Sequence, residues 1–491
     1  MTILEAIADP HLFAPWFKRD SWQSWFVFLA TLFALPLTPE QLTLYRQCTG
    51  RNESPRTPFN EAWLVCGRRA GKSFILALVA VFLAAFHDFR QYLAPGERGT
   101  ILVIATDRKQ ARVITRYIRA LLTHIPMIAR MVERETTESF DLDNSVTIEV
   151  GTASFRSTRG YTVIAALCDE LAFWSNEDAA EPDYEVLAAI RPGMATIPNA
   201  MLLCASSPYA RRGALWAAHR QHYGKDGDPI LVWQADTRTM NPTVPQRVID
   251  EAMERDPASA TAEFLAQFRS DIEQFISREA VEACIEPGVQ ERLPTSRTKY
   301  VAFVDPSGGS SDSFTLAVAH KDADAAVLDA VREVRPPFSP ENVVAEFAAL
   351  LKSYRLTKVS GDRYAGEWPR ERFKAHGVTY EPAASPKSDL YRDLLPLINS
   401  RKAALLDHPR LVTQLVGLER RTARSGKDSI DHAPGQHDDL ANCMAGALTA
   451  VSGRRGSYDS TLSWVGSDVR EKVDWQADRL YRFINSGGLL R

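Results

Sequence analysis

Six short apolar runs that do not alternate set the strongest limit on how this chain can fold. They are WLVC (63–66), TILVIA (100–105), VTIEV (146–150), VIAALC (163–168), MLLCAS (201–206) and ILVW (230–233). A strand covered on both faces reads as a nearly continuous apolar run, whereas a half-exposed strand alternates. Helical patterns over 73–90 and 107–123 separate the first runs. The stretch from Trp63 to Trp233 therefore reads as an α/β layer structure with a parallel sheet and helices on both faces.

The chain has 491 residues, more than one hydrophobic core usually holds, so two or three domains are expected. Residues 240–283 read as amphipathic helices, and IEPGVQERLPTSRTK (285–299) has the Pro, Gly and charge of a linker. Beyond it the order changes to three consecutive strands, YVAFVD (300–305), SFTLAVAH (313–320) and AAVLDAV (325–331). A helix (340–354), a strand (357–361), a helix (366–375) and a short strand near Val378 follow. That is the element order of a ribonuclease H-like fold. The expected division is 1–284, a P-loop NTPase-like domain with an N-terminal helical segment, then a linker at 285–299. A ribonuclease H-like domain at 300–451 and a tail at 452–491 complete it.

Lys and Arg total 58 against 61 Asp and Glu, a net charge of −3. Such a balance excludes a protein coated in positive charge, so any polyanion must be gripped by local patches. The six cysteines contain no CxxC pair, which argues against zinc-finger and disulfide frameworks and for a reducing compartment. Glu5 and Asp9 stand where a secretory signal would be basic. Two apolar runs, Trp25 to Leu37 and Phe74 to Phe86, are shorter than the roughly 20 residues of a membrane span. The second follows a glycine-rich turn and reads as a buried core helix. A cytosolic protein with no membrane partner is expected.

CGRRAGKSF (66–74) lies between a predicted strand and a predicted helix, and Gly71-Lys72-Ser73 forms the core of a phosphate-binding loop. The loop spans Gly67, Arg68, Arg69, Ala70 and Gly71. Backbone N–H groups and the helix N-terminus would face phosphate oxygens, Lys72 would reach the β- and γ-phosphates, and Ser73 would bind Mg²⁺. The strict pattern places its first glycine at 66, where Cys66 stands. Asp169 and Glu170 end an apolar strand, the first suited to the Mg²⁺ shell and the second to polarising water. Taken alone they also read as a helix cap, and the phosphate-binding loop upstream favours the ATPase role. Ser206-Ser207-Pro208 ends another strand, with hydroxyls suited to sensing a γ-phosphate or to an ordinary turn. Arg69 and Arg159 are candidates for neutralising transition-state charge. Gln41 is a candidate reader of adenine, although Thr38-Pro39-Glu40 beside it is also ordinary helix-start chemistry.

A second set of carboxylates follows the linker. Asp305 ends the first strand there, Asp362 ends the fourth, and Asp438 and Asp439 open an Ala-rich helix in GQHDDLANCMAGAL. In a ribonuclease H-like order they converge on one end of the sheet, where hard oxygen ligands suit Mg²⁺ or Mn²⁺. Two such ions support phosphodiester hydrolysis. Asp312 and His437 are weaker additions, as an outer ligand and a proton-handling group. Singly, each aspartate is also read as a turn or cap residue. Basic residues cluster at 211–225 and 410–427, including Arg420, Arg421, Arg424 and Lys427, as phosphate-contacting stripes or as solvated helix faces.

Over residues 37 to 451 the chain resembles the large subunit of tailed-bacteriophage terminases. The carriers are the segment around Gln41, GRRAGKS (67–73), CDE (168–170), SSP (206–208), Asp305, Asp362 and HDDLANCMAGAL (437–448). A displaced first glycine is usual in that family. The resemblance implies an ATPase with Mg²⁺ that drives double-stranded DNA into a procapsid, and a Mg²⁺- or Mn²⁺-dependent endonuclease that cuts concatemers. It implies that Lys72, Ser73, Asp169 and Glu170 power translocation and that 206–208 couples hydrolysis to movement. One metal-binding carboxylate is implied from HDDLAN; both Asp438 and Asp439 stay candidates, with Asp439 favoured. It further implies a small terminase subunit, a portal protein, a pentamer on the portal and the host cytoplasm. Two other readings stay open: a P-loop translocase or helicase whose second domain binds DNA without cutting, and an ATP-regulated ribonuclease H-like recombination nuclease.

Overall fold

The computed structural model describes residues 1–153, 160–174, 181–310, 312–362, 367–422, 428–433 and 436–452. All six expected runs are strands: β1 (Glu61–Cys66), β2 (Gly99–Ala105), β5 (Val146–Thr152), β6 (Thr162–Asp169), β7 (Met201–Ser206) and β8 (Ile230–Ala235). They are parallel neighbours in the order β5-β2-β6-β7-β1-β8. Two short strands, β3 (Val132–Glu135) and β4 (Ser139–Leu142), extend the β5 edge antiparallel. Their mixed, largely polar sequences carried no strand signal. Along β1, Leu64 and Cys66 enter one core while Trp63 and Val65 enter the other. Covering both faces is what removes polar alternation from these strands.

The Lys72–Phe86 helix is apolar nearly all round because it is enclosed between the sheet and the N-terminal helices, Trp25, Phe28 and Leu29 among them. Among the described residues no helix is long and apolar enough to cross a membrane. All six cysteines are free and buried.

The second lobe is built on a sheet of β10 (Tyr300–Asp305), β11 (Phe314–Asp322), β12 (Ala325–Val334), β13 (Lys358–Gly361), β14 (Thr379–Pro382) and β15 (Ala403–Ala404). Its order is β14-β13-β10-β11-β12-β15, with β10, β11 and β12 antiparallel and β10, β13 and β14 parallel. This is the ribonuclease H-like arrangement expected from the element order. The Pro340–Ser353 and Trp368–Ala375 helices pack on one face, and the Asp439–Ser452 helix crosses the other. Gly446 lets that helix approach: a Cβ there would lie 2.3 Å from the Phe303 ring of β10.

Met1–Ser452 pack as one compact unit, within which residues just before 285 pack with those beyond it. β9 (Ile272–Gln274) pairs with β16 (Leu418–Thr422), which also pairs with β17 (Asp428–His432). Ile276, Val281 and Cys284 join the core of the second lobe. The expected linker at 285–299 has no regular secondary structure, but it is tied down. Ile285 bridges to Leu405, Gly288 N–H donates to Asp407, and Arg292 N–H donates to the Asp329 carbonyl. Its Pro and Gly content reflects a path over a surface rather than freedom. The tail beyond Ser452 lies outside the described residues.

Overpacking a filled core costs about 1–3 kcal/mol. Gly446→Ala should therefore lower the urea midpoint by that equivalent, and an unchanged midpoint would refute the close-approach account.

Candidate functional site: two carboxylate centres

The first centre lies at the carboxyl ends of β1, β6 and β7, where ligands bind in open parallel sheets. The chain leaves β1 at Cys66 and turns through 67–71 into the Lys72–Phe86 helix. A Cβ on Gly67 would sit 2.3 Å from Thr237 Oγ1 and 2.7 Å from the Phe264 carbonyl, so only glycine fits. Gly71 has φ 106°, a conformation open to glycine. Surrounding side chains hold the loop carbonyls at 2.8 Å each: Thr237 on Arg68, Asn241 on Arg69 and Trp25 on Ala70. The free N–H groups and positive end of the helix are left to face an anion.

Lys72 is buried, its Nζ donating to the carbonyls of Cys66 (3.1 Å) and Gly67 (3.2 Å) and pairing with Glu170 Oε1 at 3.2 Å. Ser73 Oγ donates to Asp169 Oδ2 at 2.8 Å. Gln110 Nε2 donates to both, at 3.0 and 2.8 Å. Asp169 is fully buried and its Oδ1 has no partner. Burial, then the charge of Glu170, raises its pKa against the pull of Gln110, Lys72 and Ser73. A divalent cation at Oδ1 would satisfy the orphaned oxygen and offset that cost, so the residues fit the Mg²⁺ of a nucleotide complex.

Glu170 sits at φ 50°, a left-handed conformation that costs an ordinary residue energy and clusters at functional sites. Its Oε2 accepts from Ser207 N–H (3.1 Å), Ser207 Oγ (3.2 Å) and Ser206 Oγ (3.3 Å). Burial pushes its pKa up, but Lys72 and the Ser207 N–H outweigh that and hold it below the usual value. The hydroxyls of Ser206 and Ser207, expected to face a γ-phosphate, instead bond Glu170 in this structure. Gln41 is used locally: its Oε1 accepts from Thr38 N–H in a capping box. Arg68 is exposed and paired with Glu263 at 3.0 Å, and Arg69 is exposed at φ 66°. Arg159 lies outside the described residues.

The second centre lies where β10 and β13 end. Asp362 N–H donates to the Val304 carbonyl, which sets it beside Asp305. Burial raises the Asp305 pKa to about 8; Asn442 opposes this, and Asp439, Asp362 and Asp438 add to it. Asn442 Nδ2 donates to Asp305 Oδ2 at 2.7 Å, while its own Oδ1 is buried without a partner. Asp439 accepts from Ser313 N–H at 3.2 Å, and burial raises it to about 6. Carboxylates that resist ionising without a cation are a donor set that suits Mg²⁺ or Mn²⁺. His437 Nδ1 stands 3.7 Å from Asp312 and 4.0 Å from Asp439, at the rim.

Asp438 is engaged elsewhere. It accepts from Lys387 at 3.0 Å and Tyr391 OH at 2.8 Å. Asp431, His432 and Asp438 have ligand atoms within 4.8 Å of one another, but Lys387 bonds both carboxylates and already offsets part of their charge. Among the described residues of the basic stretch 410–427, the arginines are paired. Arg410 pairs with Glu333, Arg420 with Asp428 and Arg421 with Glu419, whereas Arg424 and Lys427 lie outside the described residues.

Glu419 links the two centres. Wholly buried, it accepts from Tyr209 OH (3.0 Å), Arg212 (2.5 Å) and Arg421 (3.0 Å). Tyr209 and Arg212 follow directly on the serines that hold Glu170. The partner strand β17 carries Asp431, which shares Lys387 with Asp438. Sequence reading missed Glu419, Gln110 and Asn442. Only Asn442 had a signal, standing three residues after Asp439 on the same helix face.

The architecture defines a P-loop NTPase-type sheet joined to a ribonuclease H-like sheet in one α/β chain. The chain is similar to the large terminase of bacteriophage HK97, with 18% identity and TM-score 0.37 over 85% of this chain and 95% of that one. It is similar to the large terminase of a thermophilic bacteriophage in complex with ADP, with 10% identity and TM-score 0.34 over 81% and 96%. The large terminase nuclease of thermophilic phage G20c with bound magnesium matches 35% of this chain and 96% of its own, at 19% identity and TM-score 0.31. No protein-family model matches, and no curated protein does.

Two outcomes are expected. Asp305 has a folded pKa far above its unfolded value of 3.8, so it stabilises the fold least once the unfolded carboxylate ionises, and stability falls as pH rises from about 4 towards 8. Asp305→Asn without divalent metal should melt above the parent, by a margin that widens from pH 5 to pH 8. A margin independent of pH would contradict this. Glu419→Ala removes the carboxylate shared by the partly exposed Arg212 and Arg421 and should cost about 1–3 kcal/mol in urea unfolding, and a cost below about 0.5 kcal/mol would show the bridge to be idle.

Proposed function

We propose that this chain is the large subunit of a tailed-phage terminase, an ATP-driven motor for double-stranded DNA that also cuts concatemeric DNA with divalent metal. One observation carries the reading. A Lys72–Glu170 pair beside Ser73 and Asp169, and an Asp305–Asp362–Asp439 cluster, occupy one compact chain and are connected by a polar chain that includes buried Glu419.

In the first lobe, roughly up to residue 270, Lys72 leaves its resting partners to meet the β- and γ-phosphates. Ser73 and Asp169 hold Mg²⁺, and Glu170, freed of Lys72, orients the attacking water. Arg69 and Arg159 are the candidates for neutralising transition-state charge. Ser206 and Ser207 follow the displacement of Glu170 and pass it to Tyr209 and Arg212. In the second lobe Asp305, Asp362 and Asp439 bind metal, Asn442 fixes Asp305, and Asp438 with Lys387 supports the helix start. When bound, two divalent cations supply water activation and leaving-group stabilisation. The partners are duplex DNA, a small terminase subunit and a portal protein, with a pentamer as the working assembly in the host cytoplasm.

Glu170→Gln should bind ATP yet hydrolyse it at least about 100-fold more slowly. Asp305→Ala should cut plasmid DNA with Mn²⁺ at less than a hundredth of the parent rate, while its ATP hydrolysis stays intact. Equal cutting by Asp305→Ala favours a translocase whose second lobe only binds DNA. Cutting without ATP-driven movement of duplex favours an ATP-regulated nuclease.

A further inference from the structure

The Arg108–His124 helix begins beside the nucleotide centre and carries an unassigned line of charge. Its buried face is Ile114, Thr115, Ile118, Leu121 and Leu122. Its outer face presents Arg108, Arg112 and Arg116, all exposed, with Lys109 and Tyr117 alongside. The arginines stand at i, i+4 and i+8, a straight row about 12 Å long. Among the described residues none of the three has an ion pair, whereas Arg119 on the same helix is paired with Glu135. Their Nε groups donate only to helix carbonyls: Arg112 to Arg108 and Arg116 to Arg112, at 3.3 Å. Like charges at this spacing weaken a helix by a few tenths of a kcal/mol per pair, so folding alone gives no reason for the row.

We propose that the Arg108–Arg112–Arg116 face grips the sugar–phosphate backbone of duplex DNA and is the surface that the nucleotide centre moves. The proposal rests on the motor reading above. A 12 Å row lies alongside about seven phosphate charges of a duplex, which carries one per 1.7 Å of axis. On a chain of net charge −3, such a local unpaired row is the kind of patch a polyanion requires. Two interactions tie the row to the nucleotide. Gln110, in the first turn of the same helix, bonds both Ser73 and Asp169. Tyr117 packs edge-on against Phe74, which follows Ser73, with ring centroids 5.3 Å apart. Ser73 and Asp169 would hold Mg²⁺, so a change in their contacts would reach Gln110 and, through it, the helix that carries the row.

The test uses the full chain, a fluorescent 30-base-pair duplex of mixed sequence, and EDTA to prevent cutting. Affinity is measured as a function of KCl for the parent, for R112Q/R116Q, and for R247Q/R255Q as a charge-matched control on the exposed Gln246–Arg255 helix. Each phosphate that the protein no longer neutralises makes the slope of log affinity against log salt shallower by about 0.9. R112Q/R116Q should lose nearly two units of slope, bind at least tenfold more weakly, keep basal ATP hydrolysis and lose its stimulation by DNA. The control should match the parent. An unchanged slope in R112Q/R116Q, or an equal loss in both doubles, overturns the proposal while the motor reading stands. A change in sedimentation with DNA affinity intact overturns it too and places a second copy of the chain on the row. A parent that does not bind duplex overturns both readings.

Discussion

Everything at the nucleotide centre depends on where the charge of Lys72 goes. A buried ammonium must be compensated, and here two loop carbonyls and Glu170 compensate it. Because Glu170 is the same carboxylate that Ser206 and Ser207 hold, the resting pair locks the loop to the third strand end. In the proposed motor, a phosphate competing for Lys72 would unlock it. The strained backbone at Glu170 fits this role, since a residue pulled from two sides is held in a conformation it would not choose alone.

From Glu170 the connection runs through covalent neighbours rather than diffuse packing. Ser207 is two residues from Tyr209, and Tyr209 and Arg212 close on Glu419. A buried carboxylate with three donors is costly to rearrange piecemeal, so the lobes are expected to respond as units. The β16–β17 hairpin extends the same rigid body to Lys387 and Asp438, one residue from Asp439.

The parallel sheet was legible because burial on both faces wrote six uninterrupted apolar runs. The tight turn from β1 into the Lys72–Phe86 helix was legible because Gly67 and Gly71 stand where only glycine fits or turns freely. The order of elements after residue 300 disclosed the second sheet for a similar reason. What stayed hidden was set by long-range pairing. β9 joins a strand 145 residues away, so Ile276 and Cys284 read as the end of one domain although they pack in the next. Arg420 and Arg421 looked like a free basic stripe because their partners, Asp428 and buried Glu419, gain meaning only in the hairpin. Gln110 carries no pattern at all, and its role arises from the approach of two strand ends.

In the proposed nuclease centre, the close packing of Gly446 on Phe303 would bear on ion selection. Asp439 and Asp305 are set on two backbones held at the distance that a missing methyl group allows. The gap between their carboxylates is therefore a property of main-chain geometry more than of side-chain flexibility. A ruler of that kind discriminates by ionic radius: a helix pushed outward would favour the larger, more loosely coordinated cation over the small octahedral one. Metal preference in this chain would then be written in a glycine that touches no metal.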